Sequence, residues 1–144
     1  MPRDIRTELP DEVFELPDEQ REARADIDGD FCRLDEERYF VRGLIEMPIR
    51  NGGYFGYGVW IEVAEDDCFR LIDFWHDGPT GESFSGRLAN ELDTYPGSRG
   101  LRVSFETREQ LPAVQIEDDH LLASEQRAGI SERRADDLAS SGYH

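Results

Sequence analysis

Hydrophobic and polar residues alternate from residue 38 to residue 64, on both sides of the segment Asn51-Gly52-Gly53. A period of two places alternate side chains on one face of a pleated strand, so this stretch predicts a long β-hairpin. The apolar faces of the two strands coincide if the loop is the three residues 51–53, with a glycine in the left-handed conformation. The predicted register pairs Ile45 with Val59 and Val41 with Val63.

The second face of this hairpin carries polar and aromatic side chains. The same register puts Arg42 opposite Glu62 and Leu44 opposite Trp60, beside a strip that glycines leave bare. A tryptophan beside an arginine and carboxylates is typical of surfaces that recognise a partner protein or a small ligand. An internal hydrogen-bond network is the stronger interpretation of the same residues, because buried polar groups need partners. The candidate binding residues are Arg42, Glu46, Trp60 and Glu62, with His120 and Gln126 closing over them.

Other periodic segments predict helices and further strands. Residues 65–76 carry apolar side chains at helical spacing, which predicts a helix that covers the sheet with Cys68, Leu71, Ile72 and Trp75. Strands are predicted at 31–34, 101–105 and 113–117, whereas 83–92 has no clear pattern.

Turn and cap residues predict three more helices. The first runs from about Pro17 to Ala25, with acidic residues at its positive end. A short helix after Asp118 or Asp119, either of which can cap it, stops at Gly129, and Ser131 caps the last helix.

These elements predict an α+β fold, an antiparallel sheet built on the central 38–64 hairpin, with helices packed on one face and at both ends. A length of 144 residues fits a single domain spanning 1–144. Residues 1–13 are expected to form an extended arm, and residues 140–144 are expected to fray.

The charge balance narrows the class of partner. The net charge is −17, and all 16 cationic residues are arginine. Such a surface repels nucleic acid and anionic membranes and attracts basic proteins, so we expect no nucleic acid and no membrane partner. Mimicry of nucleic-acid charge is a further possibility, which requires carboxylates in rows. No segment has the pattern of a secretory signal or a membrane span, so we expect a cytoplasmic protein with Cys32 and Cys68 as reduced thiols.

Catalytic and metal motifs are weak in this sequence. A nucleophile needs a base within hydrogen-bond reach, and the three histidines are His76, His120 and His144. Cys32 or Cys68 could pair with His120, but buried cysteines are more often inert core residues, and no serine lies in a nucleophile motif. Asp119 next to His120 is better explained by helix capping than by metal binding. We therefore expect no metal and no cofactor, and the sequence favours a non-enzymatic protein.

The order of several motifs resembles a bacterial family called domain of unknown function 2199. The matching stretches lie between residues 14 and 139 and include Phe40-Val41-Arg42-Gly43, Gly58-Val59-Trp60, Gly86 with Leu88 and Asn90, Tyr95-Pro96, Asp119-His120 and Gly129-Ile130-Ser131. The resemblance implies kinship without an activity. Members of that family often begin with a Cys-x-x-Cys-Gly segment that this chain lacks, and the chain has Arg87 and Leu121 where the family usually has Trp and Pro.

Together these observations predict a protein-binding or regulatory module with a strongly acidic surface. An immunity-like or inhibitor-like protein that binds a basic partner is one version of this function. The alternative is a small-molecule-binding protein or metal-dependent enzyme with a site around Arg42, Glu46, Trp60 and His120. That alternative requires these side chains to converge in one pocket.

Overall fold

The computed structural model describes residues 4–75, 78 and 80–140 of the chain. Eight strands follow one another as β1 Asp4–Arg6, β2 Ala25–Asp28, β3 Phe31–Leu34, β4 Arg38–Pro48, β5 Tyr54–Val63, β6 Ser83–Leu88, β7 Arg102–Glu106 and β8 Ala113–Ile116. Five helices complete this part of the chain: α1 Asp11–Phe14, α2 Asp18–Arg24, α3 Glu65–Phe74, α4 Leu121–Ala128 and α5 Glu132–Ala139.

The fold is α+β, as the sequence predicts, but the sheet is not a simple open antiparallel one. Strands β4, β5, β6, β7 and β8 close into a five-strand barrel, and β1, β2 and β3 extend the sheet beyond it. Two pairings are parallel, β1 with β5 and β4 with β8. The closure has a geometric reason: β4 and β5 are so long that each has two shorter strands in succession along its outer edge.

The central hairpin forms, with the predicted faces but a different register. Ile45 lies opposite Tyr57 instead of Val59, and Val41 lies opposite Ile61 instead of Val63. The loop is residues 50–52, because the Ile49 N–H donates to the Gly53 carbonyl at 3.0 Å. This difference shifts each pairing by two residues, and an even shift leaves every side chain on its predicted face.

The turn chemistry explains the shift. Gly52 and Gly53 both have positive φ, 113° and 81°. Glycine adopts such angles at little cost, so Gly53 can close the ladder with Ile49 while Arg50 moves into the loop. On the second face, Arg42 therefore lies opposite Trp60 rather than Glu62, and Leu44 lies opposite Gly58 rather than Trp60.

The core has two parts. The larger fills the barrel with one face of each of its five strands, and side chains of α3, α4 and α5 join it. The smaller lies outside the barrel, where Val13 of α1 packs on Phe40 and Trp60 of the hairpin, with Cys32, Leu34 and Ala89 around them. Helices therefore cover both sides of the hairpin, whereas the sequence predicts that they pack on one face and at both ends.

Several element boundaries match the predictions. Strand β3 has the predicted bounds, and β7 and β8 begin or end within one residue of theirs. The segment 83–92, which the pattern leaves open, contains β6. In α3, Cys68 and Leu71 are buried as predicted, but Ile72 is 48% exposed. The predicted end of that helix at His76 lies outside the described residues.

The N-terminal segment is ordered against the sheet. Residues 4–6 of the predicted extended arm form β1, which runs parallel to β5 with Ile5 opposite Tyr57. Residues 11–14 form the short helix α1. Among the described residues, we find no helix with the length and apolar character needed to cross a lipid bilayer.

Candidate functional site

Arg42 and Trp60 lie at the centre of the predicted surface, and the hairpin register brings them face to face. The Arg42 guanidinium lies 4.7 Å from the centre of the Trp60 ring. Arg42 also donates to the carbonyl oxygens of Thr7 and Glu8, at 3.2 Å each. Its Nε lies 3.7 Å from a carboxylate oxygen of Asp30. The stack therefore fastens the N-terminal segment to the outer face of the hairpin.

Trp60 is fully buried in this arrangement. Its backbone N–H donates to Oδ1 of Asn90 at 2.7 Å, and Thr7 Oγ1 donates to the same oxygen at 3.0 Å. The Asn90 amide in turn donates to the Leu9 carbonyl and to Asp11. Asn90 thus fills the gap between β1 and β6 along the edge of β5. Asn90 belongs to the motifs that resemble the bacterial family, but the sequence does not show which groups its side chain contacts.

Glu62 pairs with Arg38 and not with Arg42. Its two carboxylate oxygens accept hydrogen bonds from Arg38 Nε at 2.9 Å and Nη2 at 2.6 Å. Arg38 also binds both carboxylate oxygens of Glu12 on α1, and Arg99 lies 3.5 Å from Glu12. The hydrogen bonds from Arg38 lower the pKa of the Glu12 carboxyl. This charge network fastens α1 to the end of the hairpin.

Glu46 faces the loop that connects β7 and β8. One of its oxygens accepts a hydrogen bond from Arg108 Nη1 at 3.1 Å, and Arg108 Nε donates to the Leu111 carbonyl at 2.6 Å. The Nη2 atom of Arg108 is buried and has no hydrogen-bond partner among the described residues. Arg108 therefore keeps an unused donor in a loop whose shape it already fixes.

A cleft of about 250 Å³ opens beside this loop, where the ends of β3 and β8 meet along the edge of β4. The Trp75 indole N–H donates to Asp30 Oδ2 at 3.0 Å on one side. The cleft is lined by Asp30, Phe74, Trp75, Thr107, Arg108 and residues 109–112. Two of the predicted residues contact side chains that line this cleft: Arg42 contacts Asp30, and Glu46 contacts Arg108.

His120 begins helix α4. Its Nδ1 accepts a hydrogen bond from the Leu122 N–H at 3.0 Å, and its Nε2 lies 2.9 Å from the Pro96 carbonyl. Since Nδ1 accepts, Nε2 carries the proton and donates to that carbonyl. The predicted cap by Asp118 or Asp119 is wrong, because the cap residue is His120. The Asp118 carboxylate instead accepts hydrogen bonds from the backbone and side chain of Arg102, at 2.8 and 2.7 Å.

Gln126 completes the edge of β8. Its Oε1 accepts from the Ile116 N–H at 3.0 Å and its Nε2 donates to the Val114 carbonyl at 2.6 Å. Strands β4 and β8 pair only at Leu44 and Ala113, so the amide takes the place of a strand beyond that point. Both functional groups of the buried Gln126 side chain are used in this way.

The six predicted residues thus fall into separate environments. Arg42 and Trp60 contact each other, whereas Glu46, Glu62, His120 and Gln126 have partners of their own. His120 begins a helix whose buried residues Leu122 and Ala123 join the barrel interior, while Arg42 lies on the outer face of β4. The contacts of the described residues therefore place His120 beside Pro96, whereas Arg42 and Glu46 lie beside Asp30 and Arg108.

A second concave surface, which the sequence does not predict, lies between α3 and the edge strand β2. This acidic groove encloses about 190 Å³, and its lining consists of Asp26, Asp28, Phe31, Cys32, Arg33, Tyr39, Cys68, Phe69 and Ile72. Phe69 and Ile72 are 52% and 48% exposed, so two large apolar side chains on one turn of the helix face solvent beside the groove. The apolar spacing of α3 predicts that Ile72 covers the sheet, so the sequence does not predict that this side chain is exposed.

The two thiols are buried and free of disulfide bonds. Burial raises the pKa of the Cys32 thiol to about 12 and that of Cys68 to about 11. A protonated buried thiol is a poor nucleophile. Within residues 4–75, 78 and 80–140, no three or more histidine, cysteine, aspartate or glutamate side chains come together as metal ligands.

Comparison with known proteins identifies the family of this chain. No curated protein and no solved structure matches the chain. A family model described as "Uncharacterized protein conserved in bacteria (DUF2199)" matches residues 1–130. This range includes the N-terminal arm, which the resemblance of residues 14–139 left out. Because the match spans most of the chain, the protein belongs to this bacterial family, whose function is uncharacterised.

Proposed function

We propose that the protein is a non-enzymatic binding module that uses its acidic surface to bind a basic protein in the cytoplasm. The observation that supports the proposal is the pairing of arginine side chains with carboxylates inside the fold. Acidic residues outnumber cationic ones by 33 to 16, and most arginines are paired within the fold. Ion pairs with carboxylates hold Arg21, Arg24, Arg33, Arg38, Arg42, Arg70, Arg99, Arg102, Arg108 and Arg134.

This pairing leaves an excess of negative charge facing solvent. Such a field attracts basic partners and speeds their association, and it repels nucleic acid. An immunity-like or inhibitor-like role against a basic protein is a concrete version of this function. The buried thiols and the separate environments of Arg42, Glu46 and His120 support a binding role over catalysis.

The test is affinity capture at two salt concentrations, followed by binding kinetics with the purified captured protein. Raising the salt concentration from about 0.1 M to about 0.5 M shortens the Debye length from about 10 Å to about 4 Å. We expect a basic partner whose association rate falls at least about tenfold over this step. Arg42→Ala tests whether the predicted Arg42–Trp60 surface takes part: the variant should leave the salt dependence of binding unchanged, because it removes none of the acidic charge. A neutral or acidic partner, or unchanged binding at the higher salt, contradicts the proposal.

A second candidate function is the binding of a small anion-bearing molecule in the cleft at Arg108. The Arg108 guanidinium favours it, since this cation lines the cleft beside the aromatic side chains of Phe74 and Trp75 and a ligand carboxylate can pair with it. Benzoate is a suitable probe, and we expect it to shift the NMR resonance of the Trp75 indole N–H. Arg108→Ala should abolish the shift, whereas Arg127→Ala, at an exposed position of α4, should not. A shift that survives Arg108→Ala rules this candidate out.

A further inference from the structure

The free edge of the sheet at β2 has the features of a strand-docking site. Within the part of the chain that the structure describes, strand β2 stands at the end of the strand order and pairs with β3 on one side only. Three of its four residues are exposed. An unpaired edge offers a row of backbone N–H and C=O groups to another extended chain.

The hydrogen-bond pattern shows which groups are offered. The Asp35 N–H donates to the Arg24 carbonyl at 2.8 Å, in the same register as the β2–β3 pairing. In an antiparallel pair the hydrogen-bonded positions alternate, so Asp26 and Asp28 turn their backbone groups towards β3. Ile27 between them presents its N–H and C=O outwards.

The side chains beside this edge define the chemistry of an incoming chain. Asp26 and Asp28 lie on the face that lines the acidic groove, next to the half-exposed Phe69 and Ile72. Arg33 lies 3.4 Å from Asp26 and neutralises it in part. Asp28 has no ion-pair partner in the part of the chain that the structure describes. The edge therefore combines unpaired backbone, an apolar floor and negative charge.

We propose that an extended, basic segment of the partner protein adds to the sheet as a strand antiparallel or parallel to β2, with arginine or lysine side chains at alternate positions over the acidic groove. This inference rests on the proposed function and narrows it to one surface. Cationic groups at a spacing of two residues meet Asp26 and Asp28, and their methylene stems cover Phe69 and Ile72. The outward N–H and C=O of Ile27 bond to the added strand.

A second copy of this chain fits the same edge poorly. A symmetric pairing of two β2 strands would bring the aspartates of both copies together, and like charges across a strand pair are destabilising. Two chains that each carry a net charge of −17 repel each other further. The charge of the edge thus favours a basic partner over self-association.

The probe for this inference is a peptide of about six residues, a typical strand length, that alternates arginine and valine. Two matched peptides serve as controls: one alternates glutamate and valine, and one keeps the arginines but carries N-methylated backbone amides. We expect the first peptide to bind and to slow hydrogen exchange of the Ile27 amide. The glutamate peptide should not bind, and the N-methylated peptide should bind about tenfold more weakly.

Charge variants locate the site. Asp26→Asn with Asp28→Asn should weaken peptide binding about tenfold, since two cross-strand ion pairs are lost. Asp136→Asn with Asp137→Asn, on the exposed face of α5, changes the net charge equally and should alter binding by less than about twofold. Exchange of the Ile27 amide in the unmodified protein gives a reading that does not depend on how any variant folds.

The outcomes separate this inference from the proposed function. Suppose that basic peptides bind in a salt-sensitive way, but the β2 variants do not weaken their binding or the Ile27 amide stays unprotected. Either result overturns the docking site at β2 but is consistent with the proposed basic partner. Absence of binding by any basic peptide or protein overturns both. Protection of Ile27 by concentration-dependent self-association, with no peptide added, shows that a second copy occupies the edge and overturns the inference.

Discussion

Two buried amide side chains, Asn90 and Gln126, complete hydrogen-bond ladders at places that no strand reaches. The Asn90 side chain accepts a hydrogen bond from the backbone N–H of Trp60. The Gln126 side chain accepts one from the Ile116 N–H and donates one to the Val114 carbonyl. The sequence predicts Gln126 as a binding residue, because it lies with His120 in the C-terminal motif of the family resemblance. Only the position of the neighbouring strand edge distinguishes the two roles, and that edge comes from a segment ten residues away in the chain.

The role of Gln126 can be tested by removing its amide while keeping its size. We expect Gln126→Met to lower the free energy of unfolding by about 2 kcal/mol or more, because two buried backbone groups lose their partners. Urea unfolding followed by circular dichroism measures this change. Gln115→Met, at an exposed position of β8, is the control, with an expected change within about 0.5 kcal/mol. Equal effects of the two substitutions would show that the amide contacts contribute little.

The same limit applies to Trp60, which the sequence correctly places on the second face of the hairpin. Alternation assigns the face of a strand, but it carries no information on what packs over that face. Here α1 and the segment before it cover Trp60 completely. The charged residues nearby are therefore predictable as a group, while their pairings, such as Glu62 with Arg38, depend on chain segments far apart in the sequence.

At the scale of elements, the hairpin shows what a period of two determines and what it leaves open. The period fixes which residues face the barrel interior, and this prediction is confirmed along both strands. It is insensitive to any shift by two residues, so the register depends on the loop alone. Two adjacent glycines, Gly52 and Gly53, allow more than one three-residue loop, and the structure adopts the one that includes Arg50.

Strand β6 depends on a close approach at Gly86. A Cβ atom at this position would collide with the Glu62 carbonyl and would lie 2.7 Å from Cγ2 of Ile61. We expect Gly86→Ala to lower the free energy of unfolding by about 1–3 kcal/mol, since a backbone carbonyl cannot move aside easily. Denaturant titration of the variant against Ser85→Ala, at an exposed position of the same strand, measures the effect. A loss no larger than that of Ser85→Ala would show that β5 and β6 adjust freely.

At the scale of the whole molecule, closure of the sheet is the feature that the sequence does not reveal. The barrel is closed by pairings between distant segments, with two residue pairs joining β5 to β6 and one joining β4 to β8. Local periodicity contains no record of such contacts, and β6 itself lies in a segment without a clear pattern. Charge behaves differently, because a net value of −17 follows from composition and needs no coordinates.

The excess negative charge has opposite consequences for the fold and for its proposed partner. Repulsion between unpaired carboxylates destabilises the compact state, and salt screens it. Salt also weakens the exposed ion pairs, but carboxylates outnumber arginines by about two to one, so repulsion outweighs them. We therefore expect sodium chloride at neutral pH to raise the free energy of unfolding by on the order of 1 kcal/mol between about 0.02 M and about 0.5 M.

The control is the same titration near the sequence pI of about 4.4, where the net charge vanishes and the stabilising effect of salt should vanish with it. A fall in stability with salt at neutral pH would mean that the ion pairs dominate. If binding were weak because the chain unfolds, salt that stabilises the fold would strengthen binding. Salt that stabilises the fold but weakens partner binding therefore shows that the loss of binding is not caused by unfolding. Opposite salt slopes for unfolding and for binding therefore identify the acidic surface itself as the source of the affinity.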